Sequence, residues 1–301
     1  MGVQPDSHPA RRRPALEIPW PKGWFAVTVE VVADLSAPQN LSAEIVEQYR
    51  SQGFVHIPKV LTAPEIQRYL SDARVLLDRE HKVSWDDGEG NVMDWVADPE
   101  TKSAVMRTLA LHPRITGIAE LLAGQQLRMF KSELLLKRST GASPTPFHFD
   151  DFAFPIAGRA VTLTAWVALV DVPVERGCLT FVPGSHIWPE ATESEATAES
   201  NPAAAELWDP FDVFPELVWR PRVAVPIRAG DCTFHHSRLV HAAGTNATAT
   251  PRISLTSVYM DAAAVYQPSA GNGYQDEVVG VEPGAPLDTD RYPRVGLDVS
   301  V

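Results

Sequence analysis

The sequence predicts an antiparallel β barrel or sandwich with helices covering one face. Three observations predict it. From Gln126 onward apolar residues recur with a period of two in short β-rich runs; turn residues such as Pro183-Gly184-Ser185 and Ala229-Gly230-Asp231 separate those runs; and the preceding stretch mostly follows helical spacing.

Residues 1–24 are rich in Pro and Arg without periodicity and read as a flexible arm, ahead of a single domain over 25–301. Helical spacing over 41–52 ends at Gly53, and a short strand is expected over 54–58. Thr62-Ala63-Pro64-Glu65 is a capping box, which opens a helix running to about Glu80. A polar loop over 86–91 precedes two further helical segments, 99–111 and 113–122, the second stopped by Gly124. Residues 41–125 are therefore expected to be mostly helical.

The β core spans 126–260, with runs at 127–137, 161–170, 178–183, 223–227, 232–236 and 252–260, and a tail follows over 261–301. One insertion, 187–220, interrupts it. An insertion of this size is either a disordered loop or a functional lid: its first half, dense in Glu, Ala, Ser and Thr, reads as solvated, and its second carries Trp208, Phe211, Phe214 and Trp219, suited to folding over an apolar substrate.

Composition narrows the function. The 301 residues are 45% hydrophobic and carry 38 acidic against 26 basic side chains, a net charge of -12 that should repel nucleic acid and anionic membranes and leaves a small-molecule partner. Cys178 and Cys232 lie in apolar runs without metal or redox spacing and read as core residues. Arg11, Arg12 and Arg13 are followed by no signal-peptide core, and no run of about 18 apolar residues occurs, so a cytoplasmic protein is expected. Oligomeric state is not legible.

In Phe147-His148-Phe149-Asp150 an imidazole and a carboxylate two residues apart share one face of a strand, a pairing suited to a first-row divalent metal. A second cluster, His235, His236 and His241, can complete a face of two histidines and one carboxylate, which leaves coordination positions for a 2-oxo acid and dioxygen. Spacing alone does not choose among these three; His235 and His236 point to opposite faces, so at most one of them faces the metal. Arg252 and Ser254, again two apart, could bind a distal carboxylate through a guanidinium fork and a hydroxyl. Arg220 and Arg222 are further candidates for a phosphate or carboxylate.

Several blocks in order carry a resemblance. They are Gly53-Phe54-Val55-His56-Ile57-Pro58 with Leu61-Thr62-Ala63-Pro64-Glu65; residues 147–150; Thr164-Ala165-Trp166-Val167-Ala168-Leu169; Gly177-Cys178-Leu179 with Val182-Pro183-Gly184-Ser185-His186; Ala229-Gly230-Asp231; and His241-Ala242-Ala243-Gly244-Thr245-Asn246 leading to Pro251-Arg252. Over residues 45–260 the chain resembles the phytanoyl-CoA dioxygenase family of iron(II)/2-oxoglutarate oxygenases. The resemblance implies a double-stranded β-helix (jelly-roll, cupin-like) barrel with helices outside. It makes His148, Asp150 and His241 the iron ligands, Arg252 the 2-oxoglutarate anchor and Trp166 part of the co-substrate pocket, and Lys137 resembles a lysine that precedes the proximal motif.

Phe149 stands where many members have Gln, and Ala243 where some have a serine that touches the co-substrate, which shifts weight to Arg252 and Ser254. Because Asp150 supplies the carboxylate that halogenating relatives lack, hydroxylation of a natural-product-type substrate is the expected outcome, with release of succinate and CO2. Desaturation, epimerisation, cyclisation or an acyl-thioester substrate is the alternative, and a non-catalytic ligand-binding barrel is the alternative of another class. Phe152 and Phe154, just past the ligands, are candidates to line the substrate pocket, whereas His186, His56 and His112 read as structural.

Overall fold

The computed structural model describes residues 41–151, 154–157, 161–187, 209–268 and 276–296; the arm, Phe152 and residues 188–208 of the insertion lie outside them. Helix α1 (Ala43–Gln52) ends where Gly53 adopts φ 83°, a left-handed turn that sends the chain directly into β1 (Phe54–Ile57). Helix α2 (Ala63–Arg79) starts at the expected capping pair, with Thr62 N donating to Glu65 Oε2 at 2.7 Å.

Glu65 does more than cap. It also accepts from His112 Nε2 at 3.1 Å and pairs with Arg114, so it ties α2 to the start of the last helix of this part. Burial pushes its carboxyl up, but the bonds from Thr62 and His112 and the Arg114 charge outweigh that and hold it near a pKa of about 2. With the folded value below the ordinary one, the contribution is present above about pH 4.5 and lost as pH falls through about 2. Thermal unfolding of Glu65→Gln should therefore show a lowered Tm at neutral pH and a gap from wild type that closes on acidification through that window. A gap independent of pH would contradict the assignment.

The structure departs from expectation between residues 83 and 97. Strands β2 (Val83–Asp86) and β3 (Asn91–Ala97) form a hairpin around the polar turn, in which Asp87 Oδ1 accepts from Glu89 N and Gly90 N. Sequence reasoning missed it because β2 is largely exposed and the inward face of β3 carries Asp94, buried yet satisfied by Arg138 at 2.7 Å, Ser84 and Asn91. The helix expected over 99–111 is two, α3 (Pro99–Lys102) and α4 (Ala104–Ala110). They divide at Ser103, whose hydroxyl caps the second by accepting from Val105 N and Met106 N. Helix α5 (Pro113–Ala123) stops at Gly124, φ 70°.

The remaining strands are β4 (Leu127–Lys137), β5 (Thr145–His148), β6 (Thr162–Ala168), β7 (Leu179–Phe181), β8 (Val223–Val225), β9 (Cys232–His236), β10 (His241–Ala243) and β11 (Arg252–Asp261). Two short helices, α6 (Pro210–Val213) and α7 (Asp276–Val279), and two 3-10 turns, Val174–Arg176 and Pro215–Trp219, complete the described elements. A seven-stranded sheet runs β1-β9-β6-β11-β4-β3-β2 and a four-stranded sheet β5-β10-β7-β8, the two-sheet arrangement of a jelly roll.

Alternation decides what lies on each face. Leu163, Ala165 and Val167 of β6, with Cys232 and Phe234 of β9 and Ile253 and Leu255 of β11, pack under α1, α2, α4 and α5. The opposite face, carrying Thr164, Trp166, Thr233 and His235, turns toward the small sheet, and stacked Phe54 and Phe181, centroids 4.4 Å apart, join the two sheets. Both cysteines are buried free thiols. Among the described residues no helix is long and apolar enough to cross a membrane.

Candidate metal centre and co-substrate pocket

Strands β5 and β10 are antiparallel neighbours with His148 and His241 as register partners, so two imidazoles far apart in sequence sit side by side, centroids 4.3 Å apart. Each ring donates its Nδ1 proton to the carbonyl two residues earlier, His148 to Pro146 and His241 to Leu239, both at 2.9 Å. A carbonyl only accepts, so the tautomer is set and Nε2 is left as the free ligand atom. Both Nε2 atoms lie 3.7 Å from Asp150 Oδ1. The three ligand atoms fall within 4.8 Å of one another, which one ion can span.

Asp150 is placed by the turn between β9 and β10. Its backbone N–H and that of Asp151 both donate to Ser237 O, at 2.7 and 3.1 Å, while the Asp151 carboxylate holds Arg238 Nε at 3.1 Å. Burial depresses His148 and His241 to a pKa of about 4. Burial of Asp150 is outweighed by His241, His235 and His148, which keep its carboxyl well below the usual range. Two neutral imidazoles and an ionised carboxylate are the protonation states a divalent first-row ion requires.

The histidine ambiguity resolves unevenly. His236 turns away, its Nδ1 accepting from Arg238 N and its ring 5.3 Å from His186. His235 turns inward but stands outside the three-atom group, behind Asp150.

Arg252 opens β11 opposite Lys137 and is 1% exposed. Its Nη1 donates to Gly177 O at 2.6 Å and its guanidinium lies over Trp166, 5.4 Å from the ring centroid, while Nε has no partner. Ser254 Oγ, Thr256 Oγ1 and Thr233 Oγ1 are likewise buried without a partner among the described residues. Register places all of them on one wall: Thr233 faces Trp166, Trp166 faces Thr256, and Ser254 follows Arg252 on the same face. Each unsatisfied buried donor costs about 1–3 kcal/mol, so such a cluster fits a ligand rich in acceptor oxygens. A dicarboxylate is such a ligand.

Thr256 was legible as the next same-face residue after Arg252 and Ser254; Thr233 emerges only from strand pairing. Lys137 is fully buried, donating Nζ to Val92 O, Ser143 O and Thr145 Oγ1, and burial with the Arg252 charge pushes it down to about 7. It fastens β4 to the strand bearing His148. Gly177, at φ 74°, can only be glycine, since a Cβ there would lie 2.3 Å from Gly244 O; its carbonyl is the one that holds Arg252.

Phe154 is buried edge-on to Phe130, centroids 5.6 Å apart, in a cluster with Met260, Tyr266 and Tyr292, where its ring fills core. Phe149 points away from the ligands into a cluster with Val182, Phe214, Leu217 and Val240, which accounts for an apolar residue between them. Phe214 and Leu217 belong to the aromatic half of the insertion, which thus sits against the metal-binding strand, while Trp219 is 88% exposed. Arg220 donates Nη1 to Pro183 O, and Arg222 donates Nη1 to the carbonyls of Leu217 and Val218 and covers Phe211. His186 bonds Arg50 O, His56 bonds Asp231 and His112 bonds Glu65, all structural ties.

Comparison with known proteins agrees with this geometry. The phytanoyl-CoA dioxygenase (PhyH) family model matches residues 49–254. The chain is 24% identical over 240 residues to the peroxisomal phytanoyl-CoA dioxygenase of Rattus norvegicus, covering 73% of this chain and 68% of that one. It is 48% identical to the epimerase SnoN, solved with Fe3+, alpha ketoglutarate and nogalamycin RO, with a TM-score of 0.74 over 83% of this chain and 97% of that one. It is 41% identical to the non-heme alpha ketoglutarate-dependent carbocyclase SnoK from nogalamycin biosynthesis, with a TM-score of 0.77 over 86% and 98% of the two chains.

Proposed function

The chain belongs to the phytanoyl-CoA dioxygenase family of iron(II)/2-oxoglutarate oxygenases, and from that premise we propose that it removes a hydrogen atom from an unactivated C–H bond of a small natural-product substrate. The observation that carries this reading is the convergence of His148, Asp150 and His241 beside a wall of unpaired donors headed by Arg252. When bound, iron(II) with 2-oxoglutarate and dioxygen supplies an oxidant for such C–H bonds, with succinate and CO2 as co-products.

The residues divide the work. His148 and His241 present Nε2 and Asp150 presents Oδ1; Arg252 and Ser254 would hold the distal carboxylate of the co-substrate against Trp166, in a pocket backed by the apolar contact between the sheets.

Hydroxylation is the primary reading. Stereochemical inversion or ring closure is the second, favoured by identities of 48% and 41% to an epimerase and a carbocyclase. Incubation with Fe(II), 2-oxoglutarate and nogalamycin biosynthetic intermediates, followed by mass spectrometry, separates them. Hydroxylation adds one oxygen atom, ring closure removes two hydrogens, and inversion leaves mass unchanged with altered retention. Iron-loaded protein that never forms succinate with any substrate would instead support a non-catalytic binding barrel.

A further inference from the structure

We propose that Thr164 and His235 form a positioning pair dedicated to one oxygen of Asp150, a role that rests on the metal-centre reading above. Thr164 on β6 and His235 on β9 are direct register partners on the inward face of the large sheet, 1% and 2% exposed. The Thr164 hydroxyl donates to Asp150 Oδ2 at 2.9 Å, and His235 Nε2 stands 3.6 Å from the same oxygen. The other oxygen, Oδ1, faces His148 and His241, at 3.7 Å from each. The carboxylate thus has two chemically distinct ends.

His235 is not a fourth ligand of that group, since it lies outside the set of mutually close donor atoms. Nor is it an ordinary core histidine. Both ring nitrogens are buried without a hydrogen-bond partner, in a cage made by Phe181, 5.4 Å between centroids, and His241, 4.6 Å. A buried imidazole left unpaired is costly unless its dipole is used, and the carboxylate oxygen facing Nε2 is what uses it. With Nε2 protonated, His235 and the Thr164 hydroxyl both direct positive hydrogens at Oδ2, which fixes the plane of the carboxylate and reserves Oδ1 alone for an ion.

The chemistry explains why the pair must be polar and buried together. A carboxylate free to rotate would offer both oxygens to one ion and occupy a position that the co-substrate or dioxygen needs. Phenylalanine at 235 or valine at 164 would keep the packing and release that rotation.

The test is anaerobic Fe(II) titration of purified apo-protein, followed by 2-oxoglutarate addition and the visible charge-transfer spectrum, for wild type, Thr164→Val, His235→Phe and the conservative variants Thr164→Ser and His235→Gln. Loss of an outer-shell partner of this kind weakens metal binding by about 10–100-fold, so the first two variants should bind Fe(II) more weakly by that factor and shift the band. Thr164→Ser and His235→Gln, which restore a donor, should recover most of both. Native far-ultraviolet dichroism combined with wild-type Fe(II) affinity and an unmoved band in Thr164→Val and His235→Phe would overturn the proposal. Should His235→Phe fail to fold, Thr164→Val against Thr164→Ser decides it. Failure of wild type itself to bind Fe(II) would instead overturn the metal-centre reading, and this one with it.

Discussion

Asp150→Ala loses iron altogether: protein reconstituted anaerobically with Fe(II) and passed through a desalting column retains no stoichiometric metal and shows no visible band with 2-oxoglutarate. The reason is electrostatic as much as geometric. Oδ1 of Asp150 is the only anionic atom in the three-atom group, 3.7 Å from each imidazole Nε2. Without it, the His241 ring lies between those of His148 and His235 with no carboxylate beside them, and His148 and His241 are too buried to compensate by protonation at neutral pH. The loss should exceed the about 10–100-fold that removal of an outer-shell partner causes. Asp150→Ala that still binds Fe(II) stoichiometrically, measured by chelator titration, would remove Asp150 from the ligand set.

Arg252→Ala separates co-substrate binding from metal binding. Iron affinity in the absence of 2-oxoglutarate should match wild type, because no ligand contacts the guanidinium. Affinity for 2-oxoglutarate should fall by about 100-fold, since a charge-assisted hydrogen bond is worth about 1.5–3 kcal/mol and about 1.4 kcal/mol is a tenfold change. Part of the effect will appear as lower thermal stability, because the side chain also satisfies Gly177 O and covers Trp166. Arg252→Lys keeps the charge without the fork and should fall between the two. Calorimetry of 2-oxoglutarate binding to iron-loaded protein reads the effect; unchanged affinity in a folded Arg252→Ala protein would show that the distal carboxylate is held elsewhere on the wall.

Much of this was written in the sequence because the chemistry and the periodicity coincide. Alternation put Arg252 and Ser254 on one face of β11, and strand pairing keeps both inward. It is not what places Asp150, because β5 ends at His148 and the carboxylate is set by the backbone bond of Asp150 N to Ser237 O. What alternation cannot do is say which strands are neighbours. His235 was legible as one of a pair with only one inward-facing member, yet nothing local put it behind Asp150, because that contact depends on β9 lying beside β6. Thr164 and Thr233 carry no signal of their own, being ordinary strand formers until pairing gathers them. The β2–β3 hairpin was lost for the opposite reason: β2 is largely exposed, and between Val92 and Val96 the inward face of β3 carries an aspartate, satisfied by Arg138 just past β4, so the local pattern reads as loop. Phe154 looked like a pocket residue from its nearness in sequence to the ligands, while the structure spends its ring on the C-terminal segment.

The direct pairing of His148 with His241 also makes the centre a proofreader of strand alignment. Strand β5 is an edge strand of its sheet and, among the described strands, pairs through its backbone with β10 only, with an irregularity between His241 and Ala243. A slip of one residue would carry Phe147 or Phe149 into the position of His148 and turn the imidazole to the far face. An ion that needs both imidazoles binds only the correct alignment, so its binding energy is added to that alignment and to no other. Metal supply and the accuracy of folding at this edge are therefore thermodynamically linked.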